Sequence, residues 1–231
     1  MRAAFSVLAV IFLIAAVPRA HEVSAQSIPS PYAYVEERQE VGVFAGYMDA
    51  KTGQFGYGPS GGAWAGGRYG IELSGPLSLE GVVGAVVGTR DVISPGRPAG
   101  DRKIGEADVI ITTMDVRLKF SLVGRRSWHR FSPFLLTGAG VAFDVAGSAP
   151  IEATLERDEV FDFGTSFFGT FGAGTRVFLT RRMALRLDGI FSLWKIDTPV
   201  GYTDPEYGFG ALQEGEWVRG LSLTASLLYR W

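Results

Sequence analysis

The last eleven residues, Leu221 to Trp231 (LSLTASLLYRW), constrain the fold of this chain most tightly. At a period of two, Leu221, Leu223, Ala225, Leu227, Tyr229 and Trp231 make one apolar face. Ser222, Thr224, Ser226, Leu228 and Arg230 make a mostly polar one. A strand whose two faces meet different solvents has this pattern. It finishes on two aromatics of the apolar face, the residue type that collects at a membrane interface.

Seven more stretches read the same way. Strands are expected at about Glu40–Met48, Ala63–Leu73, Leu77–Arg90, Ile110–Leu122, Phe131–Val145, Phe163–Leu179 and Met183–Trp194. In the fourth, Ile110, Thr112, Met114, Val116, Leu118, Phe120 and Leu122 alternate with Ile111, Thr113, Asp115, Arg117, Lys119 and Ser121. Thirteen alternating residues exceed the ~5 to 6 of an ordinary globular strand and suffice to cross a tilted bilayer path. Long connections at 49–62, 91–107, 146–162 and 195–218 alternate with short ones at 74–76, 124–130 and 180–182. That sorting is the habit of outer-membrane barrels, and an even strand count leaves both ends of the chain on the short-turn side. A soluble barrel of the lipocalin kind should carry its polar face outward; here the charges fall on the face that must be interior. The expected fold is therefore all-β, an eight-stranded antiparallel up-and-down transmembrane β-barrel over residues 40–231, preceded by an exposed lead-in at 26–39.

The 31 glycines favour β structure with close backbone approaches. With no cysteine there is no disulfide, thiolate metal site or cysteine nucleophile, and a formal charge of -2 gives no sign of a nucleic-acid partner. Residues 1–25 read as a cleaved signal peptide: Arg2 is the basic start, Ala3–Val17 the apolar run, and Val23-Ser24-Ala25 the small-residue site before Gln26. The apolar run is shorter than the ~20 residues a spanning helix needs, which argues against an N-terminal anchor.

Inward charges gather toward the short-turn end. Arg68, Glu72, Glu80, Asp115, Arg117, Lys119, Arg176, Arg186, Asp188 and Arg230 are expected to form a lumen salt-bridge network, because the interior of an eight-stranded barrel is filled by its own side chains and unpaired charges there cost several kcal/mol each. The simplest pairing joins Glu72 and Glu80 to Arg176, Arg186 or Arg230, and Asp115 or Asp188 to a neighbouring arginine. A plug is the leading reading, a gated ion or water path the alternative. The last two long connections are rich in carboxylates, Glu152, Glu159 and Glu206 among them, and are read as solvated loops; a divalent cation bridging to lipopolysaccharide is the alternative. Tyr202, Tyr207, Phe209 and Trp217 form either part of an interfacial girdle or a ligand-capturing surface. Gly138, Gly140, Gly172 and Gly174, inward at period two, are expected to make room for Phe134, Phe168 and Trp194.

The eight alternating strands, the leader and the aromatic C-terminus, with FLLTGAGVAF at 134–143 and MALRLDGIFSLW at 183–194, resemble the small outer-membrane barrel superfamily of OmpA-like, OmpX/Ail-like and OmpW-like proteins of Gram-negative bacteria. The resemblance implies that Tyr229 and Trp231 are the assembly signal read by the barrel assembly machinery, although the family usually ends in Phe. It implies outer-membrane lipid and lipopolysaccharide as surroundings, a monomer, no cofactor, and a role in envelope integrity or surface interaction through the loops. A narrow channel, or a lateral pathway for small hydrophobic compounds, is the alternative. Two barrel enzymes of this kind, the lipid A palmitoyltransferase and the lipid A deacylase, use a histidine with a serine and an acid at the extracellular side. His21 lies in the leader and His129 in a turn at the opposite end, so neither set can be built and no enzyme is expected.

Overall fold

The structure is a computed structural model that describes residues 30–98 and 100–231, and the account below concerns the compact unit Pro31–Trp231. The expected signal peptide, and the lead-in up to residue 29, lie outside the described residues.

Ten strands follow one another: β1 (Tyr32–Tyr34), β2 (Gln39–Ala50), β3 (Pro59–Ser74), β4 (Leu77–Ile93), β5 (Lys103–Ser121), β6 (Arg126–Trp128), β7 (Phe131–Asp144), β8 (Thr165–Phe178), β9 (Met183–Asp197) and β10 (Gly215–Arg230). Eight of them close an antiparallel barrel, each long strand pairing with its sequence neighbour, β5 with β7, and β10 with β2. The closing seam sets Glu40 opposite Arg230 and extends past the strand, where the Trp231 amide donates to the Gln39 carbonyl at 3.2 Å. No helix of the described residues is long and apolar enough to cross a membrane.

Alternation decides which residues face where. The outward positions are apolar and bare, as with Phe167 at 76% and Val43 and Leu223 at 66% exposure, while their sequence neighbours are buried in the lumen. An apolar belt around a polar and aromatic filling is the inside-out arrangement that lipid demands.

Three expectations need correction. The second long connection is shorter than 91–107, because β4 and β5 continue as a ribbon and leave only residues 94–102 outside strands. Val92, Ile93, Ala107 and Val109 keep filling the interior there, while Lys103 reaches Asp91 and Glu106 at 2.7 Å on the outer side. Those charges mark a ribbon standing in water, where a polar outer face replaces an apolar one. Likewise β10 begins at Gly215, ahead of Leu221. Third, the lead-in and the basic turn are not irregular: β1 pairs antiparallel with β6, and the Val35 amide donates to the Arg125 carbonyl at 3.0 Å. Three-residue strands are too short to show a period.

Glycine lets the strands come close at the inner wall. A Cβ on Gly140 would stand 2.2 Å from the Met114 carbonyl and 2.4 Å from the Asp115 Cβ, and one on Gly138 would stand 2.8 Å from the Arg117 Cγ. This pair therefore makes room for Asp115 and Arg117, not for the aromatics expected from sequence. Gly174 does face Phe134, whose ring it would touch at 2.6 Å.

Candidate functional site

The lumen is filled in three layers, and the lowest, at the short-turn end, is ionic. Glu80 on β4 accepts both terminal nitrogens of Arg186 on β9. Arg186 Nε donates to Asp188 at 2.8 Å, and the other Asp188 oxygen accepts from Arg68 at 2.7 Å and from the Thr224 hydroxyl at 3.3 Å. Arg117 clasps Asp115 two residues away on the same face of β5. Lys119 binds Glu40 and approaches Glu80 at 3.7 Å. Glu40 also takes Arg176 at 3.0 Å and lies 3.8 Å from Arg230, which donates to the Glu37 carbonyl at 2.9 Å. Arg117 and Arg186 are wholly buried.

The structure thus brings together nine of the ten residues singled out in the sequence and adds Glu40 at the centre. Glu40 shares its face with Gly42 and Phe44, so alternation alone could have found it. Glu72 stands apart: it pairs with Arg125 at 2.7 Å on the rim and does not meet Arg176, Arg186 or Arg230. Near the end of its strand it reaches the basic turn instead of the barrel axis. The enclosed cluster holds six cations and four carboxylates, and Arg68 Nε and Nη2, Arg117 Nη1, Arg176 Nε and Arg230 Nε find no hydrogen-bond acceptor among the described residues.

The middle layer is apolar and begins directly on the ionic one. Arg186 lies over the Phe134 ring at 4.6 Å and Arg68 over Phe44 at 4.8 Å, while Phe44 meets Trp64 edge to face at 5.0 Å. Above them, Trp64, Phe168, Trp194, Met48 and Phe163 line a small, mostly apolar chamber of about 40 Å³. That is the room of one or two water molecules at roughly 30 Å³ each.

The top layer is a cap contributed by all four long connections. Tyr57, Phe55, Phe161, Tyr202 and Phe209 form one aromatic cluster, with Tyr57 stacked on Phe161 at 4.7 Å and Phe55 against Phe209 at 4.9 Å. Tyr202 is 1% exposed and donates to the Ile93 carbonyl at 3.1 Å. Arg102 covers Phe209 at 4.4 Å, the Gly201 amide donates to Asp158 at 2.8 Å, and buried Arg90 pairs with buried Glu152. The expectation of solvated acidic loops therefore fails at Glu152 and Glu159, which are buried and paired. Among the described residues no three carboxylates or histidines converge as a metal site would need. Tyr202 and Phe209 belong to the cap, and only Trp217, 68% exposed, remains available to a girdle.

Three cap phenols titrate late. Burial pushes Tyr57 and Tyr202 up, and the hydrogen bond to Glu159 pushes Tyr207 up to about 12. Their contribution to the closed cap is complete below pH ~10, where a free tyrosine keeps its proton, and is lost as pH rises through the higher folded values. A phenolate absorbance titration should show tyrosines ionising above pH ~10, and loop proteolysis should speed up over that same window.

No family model matches the chain, and no curated protein matches its sequence. Among solved structures, Neisserial surface protein A aligns over 84% of this chain and 97% of its own at 12% identity, with a TM-score of 0.52. The fold is that of a small outer-membrane barrel. The N-terminal β-barrel domain of Pseudomonas aeruginosa OprF (12% identity, 83% and 99% covered, TM-score 0.41) superposes more loosely. So does the attachment invasion locus protein Ail of Yersinia pestis (14% identity, 84% and 99% covered, TM-score 0.42). At this identity the likeness is one of fold, and the three layers of the lumen are described from this barrel's own residues.

Proposed function

We propose that this protein is a closed, non-enzymatic barrel of the outer membrane that serves envelope integrity or surface contact through its four-loop cap. The observation that carries the reading is the lumen itself. Ion pairs whose side chains are 0 to 1% exposed, Arg186 with Glu80 and Arg68 with Asp188, cross the barrel at the short-turn end. Aromatics close it at the other. A hydrated ion has no continuous path through such a stack, and opening one would uncouple charges that cost several kcal/mol each to strand.

In this reading the short turns face the periplasm and the cap faces the medium, in a monomer exported by a cleaved leader. Lipid and lipopolysaccharide surround the belt. Tyr229 and Trp231 serve as the assembly signal, a reading supported by their stacking at 6.0 Å on the outward face, where each is about half exposed. The second reading, uptake of small hydrophobic compounds, has the apolar chamber in its favour. At about 40 Å³ it falls far below the ~300 Å³ of ordinary ligand sites, so a compound would first have to displace the cap.

Conductance across a planar bilayer tests the proposal. The barrel should be electrically silent, and the Asp115→Asn variant should stay silent or unfold. Reproducible unit steps from the unaltered chain would replace the closed reading with the pore.

A further inference from the structure

The two ends of the barrel differ sharply in charge. Over the described residues, the long-loop end, from Asp49 on β2 through the cap, carries sixteen carboxylates and eight cations. The short-turn half carries twelve cations and seven carboxylates. Half of these cations belong to the lumen network, but a group of rim arginines does not. Arg126, Arg130 and Arg181 are exposed, and none has a carboxylate partner among the described residues. Among the described residues the Arg182 side chain reaches only the Tyr229 hydroxyl, at 3.5 Å.

Arg130 and Arg181 line a single cleft of about 370 Å³, between the lead-in strand β1 and the β8–β9 turn. Its polar lining also includes Ser127, Thr180 and Arg230. Glu36 and Glu37 oppose the cations there; Glu37 is engaged by Arg230 at 3.7 Å, which leaves Glu36 against two free guanidinium groups. The backbone is shaped to present one of them. His129 and Arg130 both take left-handed φ, 47° and 72°, a conformation uncommon for side-chain-bearing residues. The Arg130 carbonyl is fixed by the Phe178 amide at 2.9 Å. Across the cleft, the Thr180 hydroxyl accepts the Arg182 and Met183 amides at 3.2 and 3.0 Å and holds Arg181 at the tip of its turn. The other wall is apolar: Phe178 and Leu179, the latter 49% exposed on the lipid-facing side. Trp128, also at this end of the barrel, is 49% exposed.

A cleft with a cationic head, hydroxyls beside it and an apolar wall that opens onto the lipid belt matches an amphiphile with a phosphate headgroup. We propose that it holds an anionic phospholipid of the inner leaflet, its phosphate shared by Arg130 and Arg181 and its acyl chains rising past Leu179 into the belt. Bidentate guanidinium–phosphate contact supplies the recognition, and the net surplus of cations favours an anionic headgroup over a zwitterionic one. The proposal rests on the membrane orientation given above.

The test uses the full chain refolded into vesicles of phosphatidylcholine, with and without phosphatidylglycerol, followed by extraction and native mass spectrometry of retained lipid. Wild type should retain phosphatidylglycerol over phosphatidylcholine by on the order of tenfold relative to the bulk mixture. Arg130→Gln/Arg181→Gln should retain the two in bulk proportion, while its heat-dependent migration shows that the barrel still closes. Equal retention by wild type, or undiminished preference in the variant, overturns the site. Displacement of the lipid by millimolar inorganic phosphate would show a plain phosphate pocket and overturn the lipid assignment. Failure to insert into either vesicle would remove the membrane reading, and this site with it.

Discussion

Replacing Glu80 with alanine is expected to destabilise the closed barrel by about 3–5 kcal/mol, the cost of removing one partner from a buried charge pair. Glu80 accepts two hydrogen bonds from Arg186 and stands within 3.9 Å of Arg68 and 3.7 Å of Lys119. Its loss widens an existing surplus of cations in an enclosed space, so the effect should exceed that of any rim pair. The measurement is the temperature at which the compact, fast-migrating band is lost on unboiled gels, together with the denaturant midpoint in vesicles. A Glu80→Leu/Arg186→Met pair should recover much of the loss, because two apolar groups leave no stranded charge. Glu72→Ala is the internal control, with a cost of no more than about 1 kcal/mol for a partly exposed pair. If Glu72 and Glu80 proved equivalent, the lumen network would not be what holds the barrel shut.

The second large effect belongs to Tyr202. Its ring touches Tyr57, Phe55 and Phe209, and its hydroxyl is tied to the edge of β4, so it couples the first, second and fourth long connections. Tyr202→Ala should cost the cap about 3–5 kcal/mol, as for other buried aromatic truncations. The cap stands outside the belt, so the loss should appear locally: protease cleavage within 145–164 or 198–214 on the order of a hundredfold faster, with heat-dependent migration unchanged. Tyr202→Phe removes only the bond to Ile93 and should cost about 1 kcal/mol. A cap that resists protease equally in all three proteins would mean that its closure depends on Arg90 and Glu152 instead.

Strand identity and facing were readable because lipid outside and charge inside impose a period of two on every spanning residue. Phe120 and Lys119 announce their sides without help from any partner. Pairing across the lumen was not readable in the same way. Glu80 meets Arg186 from 106 positions away, and Glu40 meets Lys119 from 79, distances fixed by barrel closure and not by local spacing. Glu72 meets Arg125 and not the expected arginines because alternation gives a facing but not a height along the axis. The cap was the least legible part. Tyr57, Phe161 and Tyr202 are scattered over three connections, with no local pattern to distinguish rings that will be buried together from rings that stay in water. Glu152 looks like any acidic loop residue until Arg90, on a strand edge 62 positions earlier, is found beside it.

The extension of β4 and β5 beyond their apolar stretch bears on reach. Nineteen residues of β5, at ~3.3 Å each and a tilt near ~40°, rise about 50 Å along the barrel axis, roughly twice the ~25 Å height of a lipid-facing band. On the orientation proposed, the surplus is a post that lifts the cap some ~20 Å clear of the hydrocarbon. A body arriving from the medium would touch the cap before it met lipid, and the ribbon's paired backbone would keep that contact surface from bending away. The chain has spent its extra length on height, placing a hard, acidic tip at a set distance above the surface it is planted in.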